Sequence, residues 1–250
     1  MFKYQVIKNA VSFELANFIF NYFLLKRDAV EFMYQNNITY DNGMLGTWSD
    51  KQVPNTYSHY ADMVMETLMM KVLPRMQKET GLELIPTYSY ARLYKTGDIL
   101  KRHKDRPSCE VSITCCLGYD YRGKEDYNWG MFVGPETGER GEKGKMIPME
   151  PGDGVIYRGC EVEHWREAFD APIGSWQTQV FLHYVDKNGP YGDFCKFDSR
   201  PALGLPHTMK DMDKVKAAND VDKNAPYRQK DIDFPELDKE EVPYENREEK

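Results

Sequence analysis

Three side chains in the middle of the chain have the types and the spacing of a metal site. His103 and Asp105 lie two residues apart at the end of the run "YKTGDILKRHKD", and His164 follows in "GDGVIYRGCEVEH". Two histidines and one carboxylate on one face of an octahedron hold Fe(II) and leave positions open for exchangeable ligands. A His-x-Asp pair alone is more often an ordinary pair of surface residues. The metal-site hypothesis therefore depends on His164 as the third ligand and on the strands that bring it to the other two.

A strand end suits the His-x-Asp pair, because residues i and i+2 of a strand point to the same side and reach one ion. Short β-branched and aromatic runs separated by turn residues follow one another up to residue 186. They are "TYSYARLY", "CEVSITCCLG", "NWGMFVG", "KMIPME", "GVIYRG" and "WQTQVFLHYV". Such regularly spaced strands favour an all-β sandwich or barrel over alternating β/α units. His164 then comes from a strand across the barrel.

Two helical patterns precede these strands. Residues 11–27 place apolar side chains on one face after an N-cap at Ser12. Residues 58–80 repeat the pattern, with a kink or break expected near Pro74 and a stop at Gly81. The N-terminal part is therefore predicted to be a helical support for the strands.

The composition is that of a globular protein with a single large domain. Hydrophobic residues make up 41% and charged residues 29%, and no apolar run approaches the roughly 18 residues of a membrane span. The N-terminus lacks the features of a signal peptide, and the five cysteines form no Cys-x-x-Cys pair. We expect a cytoplasmic protein with reduced cysteines and no membrane partner.

Charge and turn residues divide the chain into three parts. We expect a helical support over 1–83, a strand-rich core over 84–190 and a charged C-terminal extension over 191–250. From 205 onward thirteen acids stand against nine bases, which indicates an extended or disordered tail. With a net charge of −7 and no basic surface, no nucleic-acid partner is expected.

The order of the motifs resembles the core of the 2-oxoglutarate- and Fe(II)-dependent oxygenases. "RLYKTGDILKRHKD", "CEVSITCCLG", "NWGMFVG" and "PGDGVIYRGCEVEH" occur in the order found in the prolyl 4-hydroxylase-like branch. The resemblance covers residues 84–186 and implies a mainly β (α+β) protein with a double-stranded β-helix, or jelly-roll, core. It also implies that His103, Asp105 and His164 are the iron ligands and the catalytic residues.

The resemblance further implies which residues contact the cosubstrate 2-oxoglutarate. Tyr94 stands where members of this branch place a tyrosine that touches the keto acid, and Ser112 stands where they often have a threonine. These enzymes also carry a lysine shortly after the distal histidine, just before an aromatic residue, whereas this chain has Ser175 before Trp176. The cation for the far carboxylate must therefore come from elsewhere.

Two arginines are candidates for that cation. Arg166 comes first, because it lies two residues after His164 and faces the same side if the strand continues. Arg92, in phase with Tyr94, comes second, and Gln177 or Gln179 adds neutral hydrogen bonds. An equal alternative makes Arg166 a salt-bridge partner of a neighbouring glutamate. A buried carboxylate without any partner costs several kcal/mol.

Two histidines and four aromatic residues outside the ligand set have structural or pocket-lining roles in this prediction. We expect His59, at a helix start, and His183, on the last strand, to be structural. Aromatic side chains that suit the lining of the substrate pocket are Tyr88, Tyr90, Trp129 and Trp165.

The resemblance implies a dioxygenase that hydroxylates a C–H bond and releases succinate and CO2. Its partners are 2-oxoglutarate, O2 and an unidentified substrate, with ascorbate as a further candidate cofactor. A peptidyl-prolyl 4-hydroxylase-like activity is the nearest analogy, and a small metabolite is the open rival. The alternative is a non-catalytic barrel of the same fold that binds a ligand or partner. The complete set of three ligands argues against that alternative, and the missing lysine argues weakly for it.

Overall fold

The computed structural model describes residues 3–134 and 143–210, apart from the side chain of Asp193. Residues 192–210 form short helical turns against the body, whereas most of the predicted charged tail, residues 211–250, lies outside the described residues. None of the helices in the described ranges is long and apolar enough to cross a membrane.

Within the described residues, ten strands form two antiparallel sheets that enclose the barrel interior. Their bounds are β1 Tyr4–Ile7, β2 Tyr57–Tyr60, β3 Leu84–Lys95, β4 Leu100–His103, β5 Val111–Asp120, β6 Met131–Gly134, β7 Lys145–Ile147, β8 Gly154–Tyr157, β9 Glu163–Arg166 and β10 Trp176–Asp186. The larger sheet has the order β1-β8-β5-β10-β3-β2, and the smaller has the order β4-β9-β6-β7. This interleaving of strands from two halves of the chain is a double-stranded β-helix, which confirms the predicted fold class.

The helices of the described residues are α1 Phe13–Gln35, α2 Asn42–Leu45, α3 Met63–Thr80 and α4 Gly192–Cys195, with three 3-10 turns at Pro107–Cys109, Lys196–Ser199 and His207–Met209. The two long helices, α1 and α3, cover the outer face of the larger sheet. The predicted N-cap of α1 is confirmed, since the Ser12 Oγ accepts a hydrogen bond from the amide of Leu15. The apolar residues of α1 and α3 join one core cluster with the outward side chains of the sheet.

Strand β10 shows how the sheet separates the core from the site. Val180, Leu182 and Tyr184 join the helix-facing core. The alternate residues Gln179 and His183 therefore face the barrel interior, since successive side chains of a strand point to opposite faces. A row of buried polar side chains inside a barrel needs partners, and this row lies beside the candidate metal ligands.

The helix predicted over residues 58–80 is partly wrong. Residues 57–60 form β2, which pairs with β3, and α3 begins only at Met63, after an Asp62 N-cap. Pairing with the edge of the sheet satisfies the backbone of this aromatic stretch, so tertiary contacts override its helical pattern. His59 consequently lies on a strand. The helix runs through Pro74, and its predicted end is confirmed by Gly81, which is left-handed with φ 70°.

Candidate active site

The three predicted metal ligands meet at one end of the smaller sheet. The register of β4 and β9 sets His103 opposite His164, and their ring centroids lie 4.3 Å apart. Asp105 follows the end of β4, and its Oδ1 lies 3.6 Å from the Nε2 atom of each histidine. One ligand atom from each residue lies within 4.8 Å of the other two. Three side chains from distant positions in the sequence thus surround one point.

Backbone carbonyls orient both imidazoles towards that point. Nδ1 of His103 lies 2.7 Å from the carbonyl oxygen of Lys101, and Nδ1 of His164 lies 3.0 Å from that of Val162. A carbonyl only accepts, so each Nδ1 carries the proton and each Nε2 presents a lone pair. This is the tautomer that a metal ligand requires.

The carboxylate of Asp105 is also incompletely satisfied without an ion. Its Oδ2 is buried and has no hydrogen-bond partner among the described residues. At Gly159 a Cβ would lie 2.7 Å from Asp105 Oδ2, so only glycine permits this close approach. An orphaned carboxylate oxygen and two free imidazole nitrogens fit a divalent cation such as Fe(II).

A cavity of about 790 Å³ opens onto these ligands. Tyr88, Tyr90 and Arg92 form one wall, as expected for the first two, and His183 lies beside Asp105. Every one of the five histidines of the chain lines this cavity: His59, His103, His164, His183 and His207. A volume of this size is typical of a small-molecule site.

Arg166 points into the barrel and is 1% exposed. Its Nη1 donates to the carbonyl of Trp129 at 2.6 Å, and its Nη2 lies 3.8 Å from the Met149 sulfur. Within the described ranges it has no carboxylate partner, and burial lowers its pKa below the ordinary value. The salt-bridge alternative is wrong: Glu163 pairs with Arg102.

The other neighbouring glutamate is also occupied. Glu167 Oε1 accepts a hydrogen bond from the indole of Trp165, which stacks on Phe132 at 5.4 Å. Trp129 and Trp165 are both absent from the residues that line the cavity in the described structure, so their expected places in the pocket lining are wrong. Trp129 packs against Tyr94 and Phe169 instead. For Trp165 the reason is strand alternation: it lies between His164 and Arg166 and therefore faces the other side of β9.

The second candidate cation, Arg92, is already neutralised. Its Nε lies 2.5 Å from Asp50 Oδ2, and its Nη2 lies 2.5 Å from Gln52 Oε1. Burial lowers the pKa of Arg92, but the neighbouring Tyr94 and Asp50 outweigh burial and hold it above the ordinary value. Arg92 is therefore a poorer match than Arg166 for a further carboxylate.

The two remaining predicted cosubstrate contacts differ in position. Tyr94 is fully buried beside Trp129, with ring centroids 4.8 Å apart, and the Arg166 guanidinium lies 5.9 Å from its ring. Ser112 lies nearer the metal ligands, where its Oγ is 2.8 Å from Nδ1 of His183. Tyr94 thus lies between the two arginines, since its hydroxyl accepts a hydrogen bond from Arg92 Nη1 at 3.2 Å, whereas Ser112 supports a histidine.

Two further polar side chains of β10 face the barrel interior. His183 has a pKa lowered to about 4 by burial, and with Cys109 and Asp105 it forms a second set of potential ligands that shares Asp105 with the first. Gln179 has a buried Nε2 without a hydrogen-bond partner in the described structure, while its Oε1 accepts from Thr114. The sequence predicts Gln179 as a source of neutral hydrogen bonds and His183 as a structural residue, and nothing in it indicates that His183 lies beside Asp105.

Comparisons with known proteins support the fold. No protein-family model and no curated protein matches the chain. Among solved structures, AviO1 from Streptomyces viridochromogenes Tue57 has a TM-score of 0.52 at 12% identity, over 75% of this chain and 91% of that one. EctD from S. alaskensis in its apoform has a TM-score of 0.51 at 13% identity, over 82% and 80%.

A Pseudomonas putida prolyl-4-hydroxylase is also similar, with a TM-score of 0.49 at 15% identity over 74% of this chain and 92% of that one. Identities this low speak to the fold alone. With the strand order and the positions of the three ligands already established, the chain has the double-stranded β-helix fold that its resemblance to the 2-oxoglutarate- and Fe(II)-dependent oxygenases predicted.

Proposed function

We propose that this protein is an Fe(II)- and 2-oxoglutarate-dependent dioxygenase that hydroxylates a C–H bond of its substrate. The convergence of His103, Asp105 and His164 carries the proposal, because all three present free ligand atoms to one point. Fe(II) held there, with 2-oxoglutarate and O2, supplies the oxidising power for hydroxylation, with release of succinate and CO2. Residues 84–190 form the catalytic core, and residues 1–83 support it.

In this proposal Arg166 binds the far carboxylate of 2-oxoglutarate. It lies two residues along β9 from His164, about 6.6 Å at the rise of a strand, and faces the same side, so a short dicarboxylate held at the metal would extend along β9 towards the guanidinium. A carboxylate would complete the environment of a buried cation that lacks an anionic partner in the described structure. Gln179 Nε2 adds a neutral donor, and Tyr94 and Trp129 exclude water around Arg166.

The substrate enters from the cavity on the other side of the ligands. Tyr88 and Tyr90 line that side and present aromatic faces along the approach to the metal ligands. Peptidyl proline is the analogy that resemblance suggests, and a small metabolite is the rival. The aromatic wall suits either substrate.

The test is succinate release by the full chain. Protein loaded with Fe(II) and 2-oxoglutarate under argon is exposed to O2, with and without ascorbate, and succinate is measured; slow release is expected even before the true substrate is known. Under argon, the loaded protein should also show a weak visible charge-transfer band, and His164→Ala should abolish both signals. Absence of both signals from correctly loaded protein contradicts the proposal and favours a ligand-binding barrel without catalysis.

A further inference from the structure

The cavity ends in a group of basic side chains, which we call the cationic mouth: Lys104, Arg106, His207 and Lys210. We propose that the cationic mouth binds an anionic group, a carboxylate or phosphate, of a small substrate and directs the rest of the molecule towards the metal ligands. The direction of the substrate towards the metal ligands rests on the proposed function, whereas anion binding at the cationic mouth does not depend on it.

The charges at the mouth do not cancel. Arg106 donates to both oxygens of Asp198, at 2.5 and 2.8 Å, and Lys210 Nζ lies 2.5 Å from Asp198 Oδ2. One carboxylate therefore serves two cations. Lys104 has no ion-pair partner among the described residues, although the chain as a whole carries a net charge of −7. Deeper in the cavity Arg92 and Asp50 neutralise each other, so the positive excess lies at the mouth.

Asp198 holds these cations in fixed positions. It is buried, and it also accepts hydrogen bonds from Ser108 Oγ and Tyr60 OH, both at 2.7 Å. Its backbone is unusual: Phe197, Asp198 and Ser199 have φ values of 50°, 55° and 63°. Three consecutive non-glycine residues in the left-handed region persist only where the surroundings hold them. This segment therefore places a carboxylate behind the mouth and leaves the cations facing the cavity.

A row of rings connects the mouth with the metal ligands. The Arg106 guanidinium lies 4.5 Å from the ring centroid of Tyr88, and Tyr88 lies 4.5 Å from the ring of His183, which adjoins Asp105. Tyr60 stacks on Tyr88 at 4.9 Å. An anion at the mouth would thus place an apolar or cyclic body against Tyr88 and its far end at the triad. The cavity volume of about 790 Å³ fits a small molecule of this kind.

Inorganic phosphate is a suitable probe for the mouth. Since all five histidines line the cavity, the imidazole proton resonances of metal-free full-length protein in EDTA report on this space alone. Titration with phosphate at constant pH and ionic strength is expected to shift the His207 resonance saturably, and His207→Gln identifies that signal. A parallel titration with acetate distinguishes a phosphate from a carboxylate site by relative affinity.

Lys104→Gln is the informative variant, because Lys104 has no described ion pair whose loss would unfold the protein. Losing one charged hydrogen bond should weaken phosphate binding by about tenfold or more. Lys78→Gln, at an exposed position on α3 away from the cavity, is the matched control and should leave affinity unchanged. Arg166→Gln should also leave it unchanged.

Two results would overturn the inference. One is the absence of any saturable shift in wild-type protein. The other is a shift that survives in Lys104→Gln and disappears in Arg166→Gln, which would place the anion in the buried pocket of the barrel. Neither result bears on succinate release, because the titration uses no metal and no 2-oxoglutarate. Conversely, a protein that releases no succinate could still bind phosphate at the mouth.

Discussion

Arg92 and Arg166 both lie buried inside the barrel, within 5.9 Å of the ring of Tyr94, yet their surroundings differ. Arg92 donates hydrogen bonds to the carboxylate of Asp50 and to the side-chain amide oxygen of Gln52. Arg166 donates to the backbone carbonyl of Trp129 and contacts the thioether sulfur of Met149. The pKa of Arg92 is held above its ordinary value because Tyr94 and Asp50 outweigh burial, whereas burial lowers the pKa of Arg166.

This difference distinguishes a structural cation from a functional one. A buried ion pair is complete without any ligand, and it is disrupted strongly only when one partner is removed. A buried cation without a carboxylate is a persistent cost, which an anionic ligand offsets when it binds. Arg92 therefore belongs to the framework, and Arg166 to the binding of the cosubstrate.

The largest expected effect tests whether a metal lies beside Arg166 at all. His164→Ala should abolish stoichiometric Fe(II) binding, because it removes a ligand on the same strand as Arg166. His183→Ala is the matched control: it removes a histidine from the other set of potential ligands, which shares Asp105, and should retain one ion per chain. Anaerobic equilibrium dialysis with metal analysis measures both. The reverse pattern would move the ion to the His183 side and leave Arg166 without its proposed role.

The next largest effect concerns stability. Arg92→Met leaves Asp50 buried and unpaired, so the free energy of unfolding should fall by about 3–5 kcal/mol. Arg166→Met removes a cation without a described carboxylate partner and replaces it with an apolar chain, so stability should be unchanged or increased. Urea denaturation of metal-free protein measures both variants. Equal destabilisation of the two would show that Arg166 has a structural partner after all.

Affinity for 2-oxoglutarate should show the opposite order. Arg166→Met removes a charged hydrogen bond worth roughly 1.5–3 kcal/mol, so the apparent constant for 2-oxoglutarate should rise about ten- to a hundredfold. Fe(II) affinity should remain nearly constant, and Arg166→Lys should restore part of the loss because it restores the charge. The measurement is anaerobic titration of the Fe(II)-loaded protein. A larger loss in folded Arg92→Met than in Arg166→Met would exchange the two assignments.

The sequence was sufficient for the parts of the site that depend on strand periodicity. His103, Asp105, His164 and Arg166 occupy the expected faces because the two-residue repeat of a strand determines which side chains point inward. The same rule, applied to Trp165, would have excluded it from the pocket. Six strands of the core were visible as β-branched and aromatic runs, because each predicted run contains a strand, but β4 and β9, which carry the two histidine ligands, lie outside those runs.

Contacts between residues far apart in the sequence could not be predicted from strand periodicity. Nothing near Arg92 in the sequence indicates that Asp50, 42 residues earlier, neutralises it. The strand around His59 was hidden by a helical pattern, and β1 pairs with β8 from the opposite end of the domain. The mouth likewise depends on Asp198, which reaches Arg106 across 92 residues. These contacts follow from tertiary packing, which a local pattern does not encode.

The smallest expected effect compares a neutral hydrogen bond from Gln179 with the charge of Arg166 inside the barrel. Gln179 faces the interior, and its Nε2 has no hydrogen-bond partner in the described structure. Cys116 pairs with Gln179 across β5 and β10, and it lies close enough to Arg166 for the arginine charge to oppose the burial that raises the Cys116 pKa. Gln179→Met should therefore raise the apparent constant for 2-oxoglutarate by only about two- to tenfold, the value of a neutral hydrogen bond.

Thr178→Val is the control, since its buried hydroxyl also lacks a described partner but points to the opposite face of β10. That variant should leave the constant unchanged in the same anaerobic titration. An effect of Gln179→Met as large as that of Arg166→Met would mean that the far carboxylate lies against β10 rather than against β9, and the contrast between the two arginines would then no longer identify the cosubstrate site.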